Sequence, residues 1–163
     1  YKNNAMVWAA KAEDPIYLSL LLDHGGDPNT RNSNNETLLH QAFIWRNQWE
    51  NVKLLVERGA DVNLKTRGQP IITDYASGGG FMQTYWLLEH GADPDNDSPD
   101  PKFKSTINAI FWHPGNPNNP TWQRKCQQWL LARGYKRPPM TERFREMRKN
   151  LGFPHEEKDI PLL

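Results

Sequence analysis

Only one cysteine, Cys126, stands among the 163 residues, so no internal disulfide framework can form. One thiol leaves the redox compartment open between periplasm and cytoplasm. Long apolar runs are missing: nothing approaches the roughly 18 uninterrupted apolar residues that a membrane-crossing helix needs, so no membrane span is expected. An excess of one charge sign is missing too. Twenty Lys and Arg stand against 19 Asp and Glu, a net charge of +1, and such a chain is not drawn as a whole to polyanions. With 37% hydrophobic and 24% charged residues the composition is that of a folded globular chain. The length suits one compact domain and is too short for two independent ones. The chain opens on Tyr1, which leaves room for a trimmed N-terminal segment such as a signal peptide.

Chemistry-bearing constellations are equally scarce. Five histidines, His24, His40, His90, His113 and His155, show no pair at ligand spacing and no matching cysteines, so no metal site is expected. Cys126 has no base beside it in sequence, which removes the case for nucleophilic catalysis. Gly78-Gly79-Gly80 lies between two predicted helices, where a tight turn needs small residues, and does not form a phosphate-cradling motif. The aspartates at alternate positions in Asp93-Pro94-Asp95-Asn96-Asp97 resemble the opening of a calcium loop. The sixth position there lacks glycine, and Lys104 stands where a bidentate glutamate belongs, so the stretch reads as a solvated loop. The expectation is a chain with no catalytic residues, no cofactor and no small-molecule substrate.

What is present is repetition. Leu21-Leu22-Asp23-His24-Gly25, Leu55-Val56-Glu57-Arg58-Gly59, Leu87-Leu88-Glu89-His90-Gly91 and Leu130-Leu131-Ala132-Arg133-Gly134 share one pattern, with glycines 34, 32 and 43 residues apart. Three continue as Gly25-Gly26-Asp27-Pro28-Asn29, Gly59-Ala60-Asp61-Val62-Asn63 and Gly91-Ala92-Asp93-Pro94-Asp95. A period near 33 means units that cannot bury their apolar faces alone and must stack. In the first unit Asp14 is placed to cap a helix starting at Pro15, with Ile16, Leu20 and Leu21 on one face and Gly25 ending it in a left-handed conformation. The second outer helix repeats this with Val52, Leu55 and Val56. A shorter inner helix precedes each outer one, best seen after Thr37, a candidate N-cap. The columns Met6, Leu39, Ile72 and Ala9, Ala42, Tyr75 recur every 33 residues and form its packed face.

These residues resemble the ankyrin repeat, whose units read G-x-T-P-L-H-x-A-A, an outer helix, then L-L-x-x-G-A-D-x-N. The resemblance covers about residues 4–134. It implies an all-α solenoid of four helix-turn-helix repeats with hairpin-like loops, divided as 4–25, 26–59, 60–91 and 92–134, and a C-terminal cap and tail over 135–163. Only the second unit keeps the family's Thr and His, as Thr37 and His40; the fourth carries about eight extra residues over 113–120 and reads as a degenerate capping unit. Thr141 is placed to cap a last helix with Phe144, Met147 and Leu151 on one face, Gly152 ending it, and the closing stretch 153–163 is expected to be extended. His24 and His90, before terminal glycines, are expected to complement the helix ends.

The resemblance also implies a function: binding a folded protein partner on the concave side, without nucleic acid. The register assigns Trp8, Gln41, Asp74 and Ala109 to the exposed inner-helix column, with Lys11, Ile44, Ser77 and Trp112 one turn on and Trp45 beside them. The expected protein-binding residues are Trp8, Lys11, Gln41, Ile44, Trp45, Asp74 and Trp112, with Arg31, Asn32, Asn34, Lys65 and Arg67 on the fingertips, because solvated tryptophans are costly to leave uncovered and dominate binding energy. Residues 122–150 hold nine basic and two acidic groups against ten and fourteen in 1–121, which suits an acidic protein surface. Short bacterial ankyrin proteins with degenerate repeats resemble immunity proteins that neutralise a co-produced toxin, such as a type VI secretion effector. The alternative is the ankyrin portion of a larger protein, packed on a catalytic or membrane-anchored neighbour.

Overall fold

The computed structural model describes residues 2–100 and 102–163, with no account of the side chains of 2–4; Tyr1 and Pro101, inside the expected repeat region, lie outside the described residues. The chain divides into two compact units, residues 1–71 and 72–163. Helices dominate both, and the fold class is all-α, a helical-repeat architecture.

In the first unit α1 (Lys2–Lys11) and α2 (Ile16–Asp23) form one helix pair, α3 (Leu38–Ile44) and α4 (Trp49–Glu57) the next, and α1 packs against both α2 and α3. The core is built from Met6, Ala9, Ala10, Leu18, Leu38, Leu39, Ala42, Val52 and Leu55, all buried. Small alanines on α1 let α3 and α4 approach, and Asn51 seals the seam: its amide nitrogen lies 3.0 Å from the Ala10 carbonyl and 2.7 Å from that of Ala12. Helix α1's last carbonyls, orphaned by the helix end, thereby find a donor in the following repeat.

Local chemistry sets the ends. The Thr37 hydroxyl accepts the His40 N–H and lies 2.7 Å from His40 Nδ1, the N-cap arrangement expected of this residue. Asp14 accepts the Ile16 N–H at 3.0 Å, but α2 begins one residue later than expected, with Pro15 in the N-cap position. The helix pairs are joined by extended fingers. Strands β1 (Lys65–Thr66) and β2 (Gln69–Pro70) pair antiparallel around Arg67 and Gly68, both left-handed at φ 52 and 80, as a two-residue hairpin turn of matching twist requires. Adjacent fingers are stitched by Asp61 N–H to Asn29 Oδ1 at 2.7 Å, Thr37 N–H to Thr66 Oγ1 at 3.0 Å and Arg31 to the Lys65 carbonyl at 3.0 Å.

The second unit holds α5 (Ile71–Ser77), which opens at the boundary, then α6 (Phe81–Glu89), α7 (Thr106–Trp112), α8 (Thr121–Ala132) and α9 (Glu142–Asn150). Helix α8 packs on α6 and α7, and α9 packs on α7. Asp97 takes the role of a buried anchor: it accepts the Thr106 N–H at 2.8 Å and hydroxyls of Thr73 and Thr106. The stretch read above for calcium thus holds α5 to the start of α7, and among the described residues no group of three or more His, Cys, Asp or Glu is placed to hold a metal ion.

The last segment returns over α7. Arg148 donates to the carbonyls of Trp112 at 2.6 Å and Pro154 at 3.1 Å, Arg137 to that of Ile160 at 2.6 Å, and Arg145 to that of His155 at 2.9 Å. Three of the nine basic residues of 122–150 therefore hold the tail. That tail is not simply extended: Glu157–Asp159 form a 3-10 turn and Ile160 is buried.

Two expected helix faces are corrected. In α2 the buried residues are Leu18 and Leu22, whereas Ile16 and Leu20 are about half exposed. The helix is apolar nearly all round, so its pattern leaves the face ambiguous, and Leu18 matches Val52 one repeat on. In α9 Leu151 is 61% exposed and the buried partner of Phe144 is Arg148, whose long stem packs while its guanidinium finds carbonyls.

Candidate functional site

Two exposed apolar groups of the first unit lie side by side in sequence at the end of α3. Ile44 and Trp45 are 60% and 54% exposed. They close α3, and the two residues after them, Arg46 and Asn47, are both left-handed at φ 62 and 49 without being glycine. Such backbone costs of the order of 1 kcal/mol per residue and persists where the surroundings demand it. Here the Asn47 N–H bonds the Phe43 carbonyl at 2.9 Å and the Gln48 N–H that of Ala42 at 2.7 Å. The turn is held closed, with the two large apolar side chains left in solvent. Lys11 Nζ stands 5.4 Å from the Trp45 ring centroid, adding a cation beside the indole.

Trp8, 59% exposed on α1, packs edge-on against Tyr17 of α2 with centroids 5.1 Å apart. Tyr17 was not foreseen as a surface aromatic. The repeat register gives no signal for it, because Tyr17 occupies the place of Asn51, which is buried.

The fingertip residues differ in availability. Arg31 donates to the Asn35 and Lys65 carbonyls. Asn32 donates to Glu36 and accepts the N–H groups of Asn34 and Glu36. Both are engaged in shaping the finger. Asn34, Lys65 and Arg67 are exposed, Arg67 reaching back to Glu36 at 2.9 Å.

Four expected surface positions need correction. Gln41 is buried, its amide bonded to Glu36 of the finger beside it. Ser77, Ala109 and Trp112 are buried too. Trp112 gives its indole N–H to the Pro138 carbonyl at 2.9 Å, and Arg137 stacks on its ring with Cζ 4.1 Å from the centroid. The returning segment covers α7, so a position exposed in an ordinary repeat becomes core. Asp74 is mostly buried and sits 3.8 Å from Lys104. Among the twelve expected residues, exposed Trp45, its sequence neighbour Ile44 and half-buried Lys11 beside the Trp45 ring are the ones brought together.

Three further histidines have structural partners. His24 and His90 each place Nδ1 within 2.8 Å of the carbonyl four residues earlier, at helix ends that want donors. His113 accepts the Gly115 N–H at 2.9 Å and lies between the rings of Phe81 and Phe144. Burial, and secondarily Arg148, lower its pKa. Cys126 is buried with its thiol pushed up to about 12 by desolvation.

Residues 1–66 match a family model described as ankyrin repeats (3 copies). No curated protein matches the chain. No helix among the described residues is long and apolar enough to cross a membrane. Helix pairs and stitched fingers occupy that same stretch, so it is residues 1–66 that are similar to ankyrin repeats, units that mediate protein–protein contacts.

Proposed function

We propose that the chain recognises one folded protein partner through the Lys11, Ile44 and Trp45 cluster, with Asn34, Lys65 and Arg67 as polar contacts at its rim. The observation that carries this reading is the left-handed Arg46–Asn47 turn, which holds two large apolar side chains in water. Tryptophan anchors surrounded by polar groups are the usual centres of binding energy. The expected outcome is that Trp45→Ala weakens the complex by about 2 kcal/mol, roughly thirtyfold, in calorimetric titration with a partner captured from the source cell. A Trp45→Ala, Ile44→Ala protein that binds that partner unchanged sinks the assignment.

In its finer form the partner is a toxin and the chain its immunity protein, a reading that rests on the family resemblance. It demands a one-to-one complex of nanomolar class and loss of toxin activity in it. The division into repeats 4–25, 26–59, 60–91 and 92–134, capped by 135–163, belongs to the same proposal.

One observation favours the second reading, a portion of a larger protein. Trp8, Ile16, Tyr17 and Leu20 expose apolar surface on the first repeat, where end repeats of a stack are ordinarily polar. A neighbouring domain would cover them. Trp8 emission should then shift to the blue in the full open reading frame relative to this chain, and an unchanged spectrum there goes against it.

A further inference from the structure

Nine basic residues between 122 and 150 invite a single reading as a charged face, but the structure sorts them. Arg137, Arg145 and Arg148 bind tail carbonyls. Two others, Lys125 and Arg133, stand along one side of α8 and are held on aromatic rings. Lys125 Nζ lies 4.5 Å from the Trp122 centroid and 5.7 Å from that of Tyr85 on α6. Arg133 lies flat on Trp129, Cζ 3.7 Å from the ring centroid, with one N–H to the Trp129 carbonyl at 3.2 Å. Between α6 and α8 runs a shallow groove of about 350 Å³, lined by Tyr85, Glu89, Lys125, Gln128, Trp129 and Arg133.

We propose that this groove is a second interaction surface, one that docks an acidic segment of a protein, with carboxylates seated at Lys125 and Arg133 and the chain between them lying on Trp129 and Tyr85. A guanidinium stacked on an indole keeps its in-plane donors pointing outward, and little side-chain freedom is left to lose when a carboxylate arrives. Lys125 and Arg133 are eight residues apart, about 12 Å along the helix, which an extended segment spans with carboxylates about four residues apart. The corresponding outer groove of the first unit, between α2 and α4, has the opposite character: its lining includes Asp14, Glu50 and Glu57 against Lys53 alone. Basic and aromatic character is therefore specific to α6 and α8 and does not come with the repeat. Nucleic acid fits less well, because Glu89 stands on the groove wall where a continuous phosphate track would pass. A membrane surface fits less well because the rings are capped by the cations instead of projecting as anchors.

The test titrates the full chain with poly-L-glutamate at low ionic strength, followed by tryptophan fluorescence. Binding is expected, and raising the salt to physiological levels should weaken it by about tenfold or more. Lys125→Glu with Arg133→Glu should abolish it, whereas Arg143→Glu with Lys149→Glu, the same charge change on α9, should leave it within about threefold. Lys125→Gln with Arg133→Gln gives the same answer should charge reversal disturb folding, with far-UV circular dichroism as the check. Equal losses in the α8 and α9 variants overturn the proposal, since binding is then diffuse. Tighter binding to phosphatidylserine vesicles or to a single-stranded oligonucleotide than to poly-L-glutamate also overturns it. Trp45→Ala should leave this titration unchanged, which keeps the surface distinct from the one assigned above.

Discussion

Cys126 lies in α8 with Sγ 3.4 Å from the Phe81 carbonyl and no exposed surface. Because the thiolate is the reactive form and burial disfavours it, a thiol reagent at pH 8 should label the native protein at least about a hundredfold more slowly than the urea-unfolded chain. Equal labelling rates would show that α8 opens readily. Asn51 makes the opposite kind of residue-scale statement, being polar and required inside. Asn51→Ala leaves the last carbonyls of α1 without their donor, and a loss of about 1–3 kcal/mol is expected in urea unfolding. Asn51→Leu, which restores volume without hydrogen bonds, should not recover it. Burial at single positions was the least legible property of the sequence. The register placed Gln41 and Trp112 on the surface because it knows only the repeat, and it cannot see Glu36 bending over one or Arg137 and Pro138 over the other.

Elements were legible where pattern and capping agreed and illegible where one was silent. The Thr37 cap, the left-handed Gly25, Gly59, Gly91 and Gly134, and the packed columns of α1 and α3 follow from spacing alone. The faces of α2 and α9 did not, because seven of eight residues in α2 are apolar or small and α9 hides an arginine in its apolar stripe. That arginine is also where α9 draws its hold on the tail. Arg148 is buried and its N–H groups reach the carbonyls of Trp112, His113 and Pro154. Arg148→Ala strips three carbonyls of a charged donor at once, so a loss of about 3 kcal/mol is expected, together with new protease cleavage within residues 153–163. Arg143→Ala, an exposed neighbour, should stay within about 0.5 kcal/mol. If both variants unfold at the same urea concentration, the staple contributes nothing.

For the whole molecule, two titrating groups with opposite signs shape the dependence of stability on pH. His113 has its pKa lowered by burial among Phe81 and Phe144 and by the nearby Arg148. In the unfolded chain it titrates at the ordinary 6.5, so its contribution is complete above that value. As pH falls below 6.5 the unfolded chain takes up the proton first and stability drops, until the folded imidazole is protonated as well. Asp97 runs the other way. Burial is the largest cause of its raised pKa, and it outweighs the hydrogen bonds from Thr73 and Thr106. The folded state therefore takes up that proton before the unfolded chain does, and stability is regained as pH falls from the raised value toward 3.8. Urea midpoints measured from pH 8 to pH 4 should thus be flat above 6.5 and fall below it, with a slope of at most about 1.4 kcal/mol per pH unit from one group. His113→Gln should remove most of that fall, whatever it costs at pH 8, because a side chain that does not titrate contributes no slope. Asp97→Asn should steepen the remaining acid limb, since the compensating proton uptake is gone. A His113→Gln profile running parallel to that of the unsubstituted chain between pH 7 and 5 would mean that some other group senses acid, and the cluster of His113 with Phe81, Phe144 and Arg148 would lose its place as the pH-sensitive part of the fold.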